Sequence, residues 1–154
     1  LTRRWQALGL AAVVPSEYEL TFAASKVGRI SWTFRHRRRR SEKLLIERLA
    51  MPERWLSGPL EDWLTGELPS GSKVLDAETR KMDGHDVSEL VSRRGVPPAR
   101  LLRLAIGRTD LAWRCDREDR LYRVGHWRRG SETPDRPSGL TVECCRTVRV
   151  GQGP

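Results

Sequence analysis

DVSELVSRRGVPPARLLRLAIGRTDLAWRCDREDRLYRVGHW, residues 86–127, has the pattern of a helix, a tight turn, a second helix and a β-hairpin. Asp86 can accept from the backbone N–H groups that open a helix, and Glu89 can reach back as in a capping box. Val87, Leu90 and Val91 follow at i, i+3, i+4 and predict one apolar helical face. Gly95 after Arg93 and Arg94 suits a glycine stop behind cations facing the negative helix end. Val96, Pro97 and Pro98 end one helix and start the next, since proline is tolerated only in a first turn. Leu101, Leu104 and Ala105 repeat the apolar spacing. Alternation then predicts two strands, 110–116 and 120–127, around a turn of Asp116, Arg117, Glu118 and Asp119.

The segment SELVSRRGVPPARLLRLAIGR resembles the helix-turn-helix of DNA-binding regulators. Val91, Gly95, Leu101 and Leu104 match that motif's spacing, and DLAWRCDREDRLYRVG is similar to a wing. The resemblance covers roughly a third of the chain, in a pattern shared by many unrelated proteins. It implies an α+β fold: an N-terminal β-hairpin, short helices, a helix-turn-helix followed by a β-hairpin wing, and a C-terminal strand. It also implies that Val87, Leu90, Val91, Leu101, Leu104, Trp113, Tyr122 and Val124 form one core. Of the positions that would face bases (Pro97, Pro98, Ala99, Leu102 and Arg103), only Arg103 has base-reading chemistry. The bland alternative is an αα-hairpin and a β-hairpin that merely build a core.

Charge points the same way. The chain of 154 residues carries a net charge of +9, which favours an anionic partner. Residues 1–40 carry +7, residues 41–85 carry −3, and residues 86–129 carry +5. The expected contacts to nucleic acid, DNA favoured over RNA, are Arg37, Arg38, Arg39, Arg40, Arg93, Arg94, Arg100, Arg103, Arg108, Arg117 and Arg120. Binding of this kind is electrostatic and weakly sequence-specific. Against it, 25 of the 29 basic residues are Arg, as a GC-rich genome would produce without selection for binding. A non-enzymatic α+β scaffold for a protein or ligand is therefore the second reading.

The rest of the chain divides into 1–40 (β-hairpin with basic arm), 41–128 (helical and winged-helix-like core) and 129–154 (loop, terminal strand and frayed tail). Tyr18, Leu20 and Phe22, then Ile30, Trp32 and Phe34, alternate with polar residues on either side of a turn at 25–28, a hairpin with one apolar face. Residues 35–40 repel one another and resist burial. Residues 42–51 read as a helix with Leu45, Ile46 and Leu49 inward, and Leu60, Trp63 and Leu64 mark another. Residues 73–82 fit either a strand or a polar helix. The early run at 7–14 follows two arginines like a signal peptide, but Pro15, Ser16 and Glu17 interrupt it, so a buried strand or short helix is expected. Leu1 in place of Met suggests a fragment, a processed chain or an unusual start codon.

No phosphate-cradling glycine loop, zinc-protease helix or nucleophile elbow is present, and no catalytic residue, cofactor or enzyme activity is expected. Three cysteines, two of them adjacent, do not make a disulfide framework and favour a reducing, cytoplasmic setting. No run reaches the ~20 apolar residues of a membrane span. A metal site can be drawn from His85, Cys115, His126 and Cys144 or Cys145. Without paired C-x-x-C spacing, inert buried thiols and no metal are the expectation. Trp32, Trp63 and Trp113 sit at core positions, leaving Trp5 and Trp127 as the freer tryptophans.

Overall fold

The computed structural model describes residues 1–95, 104–130 and 133–151. Their elements are β1 (Thr2–Ala7), β2 (Leu10–Pro15), β3 (Tyr18–Lys26), β4 (Arg29–His36), β5 (Lys43–Ala50), α1 (Pro52–Trp55), α2 (Leu60–Gly66), β6 (Ser72–Met82), β7 (His85–Arg94), β8 (Ile106–Cys115), β9 (Arg120–Arg129), β10 (Thr141–Glu143) and β11 (Thr147–Arg149). The strands form two antiparallel sheets, of order β1-β2-β10-β11 and β3-β4-β5-β9-β8-β7-β6. Two-residue turns make several of the corners. Leu8 and Gly9, like Asp83 and Gly84, both take positive φ, the backbone of the primed turns whose twist matches antiparallel strands.

One face of the seven-stranded sheet packs on the four-stranded sheet. Trp32, Phe34, Leu44, Ile46, Val87, Leu111, Trp113, Tyr122 and Val124 meet Leu10, Ala12, Val14, Leu140, Val142, Val148 and Val150 there. Trp113 and Tyr122 stand opposite each other across β8 and β9, with rings stacked 5.4 Å apart. On the other face Leu64 of α2 covers Leu90 and Ala112.

This architecture overturns the helix-turn-helix. The stretch expected as its first helix is β7, paired with β6 and β8 along most of its length. Val87 faces the small sheet while Leu90 faces α2, so apolar residues occur on both sides of the strand and lose their period of two. Glu89, on the same side as Val87, is buried as an ion: Arg136 donates to both carboxylate oxygens at 2.8 and 2.9 Å, and Arg80 pairs at 2.8 Å. Val87 and half-buried Val91 on one side of the strand and Leu90 on the other imitate i, i+3, i+4. Leu104, expected in the core, is 51% exposed, and β8 begins two residues later. Residues 96–103, with Leu101, lie outside the described residues. The expected single core is in fact split by the sheet.

Residues 42–51 are not a helix but mostly β5, a strand covered on both faces for the same reason: Leu44 and Ile46 point one way, Glu47 and Leu49 the other, and all four are buried. Pro52 opens α1. The expected wing strands do pair, but as β8 and β9 in the middle of the sheet. The hairpin of β3 and β4 and the helix near 60–66 are found, though a bulge between Leu20 and Phe22 leaves Phe22 60% exposed. The single terminal strand expected over 140–150 is instead the short pair β10 and β11. The ambiguous 73–82 is strand, and so is the early apolar run. Among the described residues no helix is long and apolar enough to cross a membrane.

Candidate functional site

Strand register brings arginines distant in sequence to one end of the seven-stranded sheet. Lys43 of β5 lies opposite Trp127 of β9, which lies opposite Arg108 of β8 and through it Ser92 of β7. Beyond that row come Arg128 and Arg93, then Arg129 and Arg94 flanking Ile106. The β4–β5 loop, holding Arg37, Arg38, Arg39 and Arg40, projects from the same end and is exposed.

The loop is nonetheless held firmly at its base. The backbone N–H groups of Arg38 and Arg39 donate to His36 Nδ1 at 3.2 and 3.1 Å. His36 N–H donates to the Glu42 carbonyl at 3.0 Å, and Arg37 N–H to the Glu17 carbonyl at 2.8 Å. Glu42 is buried beneath, accepting from the Tyr18 hydroxyl and lying 3.0 Å from His126 Nε2 and 3.2 Å from Arg39 Nη1. Burial opposes ionisation of Glu42, yet the hydrogen bonds of Tyr18 and His126 hold it below the usual carboxylate value. Burial dominates at His126 and lowers its pKa, keeping the ring neutral. Arg37, Arg38 and Arg40 make no ion pair among the described residues.

Behind this end, on the face that carries α2, lies a buried ionic network. Arg123 joins Glu47 at 3.2 Å, Glu67 at 3.3 Å and Asp110 at 3.0 Å. Arg29 joins Glu47 at 2.9 Å and Glu67 at 2.6 Å. Burial works against the Glu47 carboxylate, but Arg29, Ser31 and the charge of Arg123 hold it below its ordinary value. Arg108 grips Asp110 through two nitrogens and lies 4.5 Å from the Trp127 ring centroid. Gly125 leaves room for this pair: a Cβ there would meet Asp110 Oδ1 at 2.8 Å and Arg108 Nη2 at 2.9 Å.

The predicted arginines therefore do not form one surface. Arg37, Arg38, Arg39, Arg40, Arg93 and Arg94 share the basic end. Arg108 is buried and committed to Asp110. Arg117 and Arg120 belong to the β8–β9 turn at the opposite end, where Arg120 donates to the carbonyls of Glu118 and Asp119 at 3.2 and 2.8 Å. Arg100 and Arg103 lie outside the described residues. Arg128 and Arg129 were missed; their strand neighbours become visible only once register is known. Trp5, expected to be free, packs edge-on to Phe34 at 5.4 Å.

At that opposite end His85, Cys115, Cys144 and Cys145 converge, their ligating atoms all within 4.8 Å of one another. His126 is elsewhere, beside Tyr18 and Glu42. All three cysteines are free thiols. Burial raises the Cys115 thiol, but hydrogen bonds from Cys145 and His85 outweigh it and bring the pKa below its ordinary value. Burial, followed by the neighbouring thiols, pushes Cys144 up. His85 Nδ1 is buried without a hydrogen-bond partner among the described residues.

No protein-family model matches this chain, and no curated protein matches its sequence. Solved structures do match. Cyanobacterial PsbP (CyanoP) from Synechocystis sp. PCC 6803 superposes with a TM-score of 0.56 at 14% identity, covering 82% of this chain and 79% of that one. The Saccharomyces cerevisiae Ran-binding protein Mog1p superposes with a TM-score of 0.51 at 12% identity, covering 84% of this chain and 77% of that one. Both likenesses replace the winged helix-turn-helix with a β-sheet architecture, and the fold is what this chain shares with them.

Proposed function

We propose that this chain is a non-catalytic binding scaffold that docks an acidic protein surface through the arginine-bearing end of its seven-stranded sheet. The observation that carries the reading is the convergence there of Arg37–Arg40 with Arg94, Arg128 and Arg129, cations far apart in sequence placed together by register. A loop tied down at His36 and Glu42 presents its guanidinium groups at little entropic cost on binding, and arginine suits bidentate capture of carboxylates. A protein partner also agrees with the name of one structural neighbour, the Ran-binding protein Mog1p. The first helix of the expected helix-turn-helix is a strand, β7, so the motif that suggested nucleic-acid binding is not formed; the segment expected to enter a groove, with Arg100 and Arg103, lies outside the described residues.

The test is a titration with poly-glutamate and with duplex DNA at about 0.15 M salt, where screening confines electrostatics to about 8 Å. Replacing Arg37, Arg38, Arg39 and Arg40 by Gln should weaken poly-glutamate binding and flatten its salt dependence. Unchanged affinity and slope would make the loop a solvated connector. DNA held firmly at this salt while poly-glutamate is released would overturn the acidic-protein reading.

A further inference from the structure

The cluster at the other end of the sheet is not used by this reading. Its four residues come from three places in the chain. His85 is the first residue of β7, directly after the turn of Asp83 and Gly84, and Cys115 is the last residue of β8. Each lies two residues beyond the Val87–Trp113 pair, on the face toward the small sheet. Cys144 and Cys145 sit in the turn between β10 and β11, which carries them across from the other sheet. Nothing in local sequence spacing requires this meeting; the packing of the two sheets produces it.

From this geometry we propose that His85, Cys115, Cys144 and Cys145 form a tetrahedral site for a thiophilic divalent cation, zinc above all. Zinc–sulfur bonds of about 2.3 Å and zinc–nitrogen bonds of about 2.0–2.1 Å imply tetrahedral edges of about 3.6 Å between N and S and about 3.8 Å between two S atoms. His85 Nε2 lies 3.5 Å from Cys144 Sγ and 3.5 Å from Cys145 Sγ, so these two edges already have the required length. The widest separation in the set is no more than 4.8 Å, about 1 Å longer than a tetrahedral edge, a gap that side-chain rotation closes. Three thiolates and an imidazole select zinc over hard cations such as magnesium or calcium, which take oxygen ligands.

The surroundings suit such a centre. Three thiolates around a divalent ion carry one net negative charge. Arg114, Arg117 and Arg146 line the cleft of about 410 Å³ that reaches Cys115 and Cys145 from solvent. Arg146 lies over the 83–84 turn: a Cβ on Gly84 would meet its Nη1 at 2.7 Å. The cleft provides an entry path; Asp86 and Asp116 also line it and Arg114 is paired with Asp116 and Asp119, which leaves Arg117 and Arg146 to offset the charge. All four ligand positions come from protein, which is the pattern of a structural site with no open coordination position. The ion would tie β7 and β8 of the large sheet to the β10–β11 turn of the small one. Binding only the folded chain, it would stabilise that state by mass action.

The experiment uses the whole chain, reduced and stripped of metal with a chelator, and titrates it with Co²⁺ alone. The expected result is saturation at one equivalent, with thiolate-to-metal charge transfer in the near ultraviolet and intense visible bands of tetrahedral cobalt. Zn²⁺ should then displace the cobalt, protect all three cysteines from alkylation and raise the melting temperature. His85→Ala and Cys145→Ser should each weaken uptake by more than about 100-fold, beyond what losing an outer partner costs. His36→Ala, in the basic loop, should leave uptake unchanged. A pale octahedral spectrum, no stoichiometric uptake, thiols that stay reactive with zinc present, or a Cys115–Cys145 disulfide in the chain as purified would each overturn the site. The parent-chain titration stands even if a ligand variant fails to fold.

Discussion

The two faces of the seven-stranded sheet are both buried near the middle, yet they are built from opposite chemistry. Toward the small sheet the centre is apolar, with Trp113 stacked on Tyr122 and Trp32 edge-on to Phe34, while the buried polar groups Glu89 and Glu42 with His126 sit around it. On the face that carries α2, the centre is Glu47, Arg123 and Asp110, all nearly inaccessible, with Arg29 and Glu67 at the margin. Apolar packing degrades in proportion to the volume removed. An ionic network behaves differently: it tolerates burial only when complete, because each remaining charge then loses the partner that offset its desolvation. Among the described residues the apolar patch under α2 is small, Leu64 buried on Leu90 and Ala112 with Leu60, Trp63 and Leu68 beside them, so Glu67 at the helix end also depends on the ionic contacts.

Four experiments break or sharpen this contrast. Trp113→Ala should cost the most, about 3–5 kcal/mol, because it empties the centre of the apolar face; a denaturant midpoint within error of the parent would contradict the core. Arg123→Met keeps much of the volume but removes the cation shared by Glu47 and Asp110, leaving Glu47 to Arg29 and Asp110 to Arg108, and should cost about 3 kcal/mol. Combining it with Glu47→Gln should recover part of that loss, and a strictly additive double mutant would mean that the network is not coupled. Acid should act on the buried polar groups of both faces, His126 beside Tyr18 on the side of the small sheet and Glu47 on the side of α2. His126 has a pKa lowered from 6.5 and Glu47 one lowered from 4.5. In both cases the unfolded chain binds the proton more readily. Their contribution is therefore complete at neutral pH, begins to fall below about pH 6.5 as unfolded His126 protonates, and falls further below about pH 4.5 as Glu47 follows. A flat denaturation midpoint from pH 7 to pH 4 would contradict this. Smallest of all, neutralising Arg37, Arg38, Arg39 and Arg40 should change stability by only about 0.5 kcal/mol, since the four side chains are exposed.

The same contrast explains what could be read from the sequence. The β3–β4 hairpin was legible because, through most of its length, one side is polar and the other apolar. In β5 and β7 both sides are covered, one of them partly by charge, so alternation vanished and a helical period took its place. Glu89 and Glu47 look like solvent positions in sequence and are buried ions in the fold. Arg108 looked like a free cation; only the register that sets Asp110 opposite Gly125 reveals its partner. The loop of arginines was legible as exposed charge, but its neighbours Arg128 and Arg129 depend on β9 lying beside β5. His85, Cys115 and the adjacent cysteines could be named from sequence as metal-binding types. Their meeting was hidden because it is made by sheet packing, without local C-x-x-C spacing, and His126 belongs to a different site.

If the two ends of the sheet have separate roles, charge removal at one end should not imitate charge removal at the other. The direct measurement is one salt titration of poly-glutamate binding on three proteins: the parent, the variant with Arg37, Arg38, Arg39 and Arg40 changed to Gln, and a variant with Arg117 and Arg120 changed to Gln. The account predicts a weakened and flattened salt response for the first variant and a response close to the parent's for the second. Losses in proportion to the number of arginines removed, whichever end they come from, would contradict it and reduce the basic end to bulk charge.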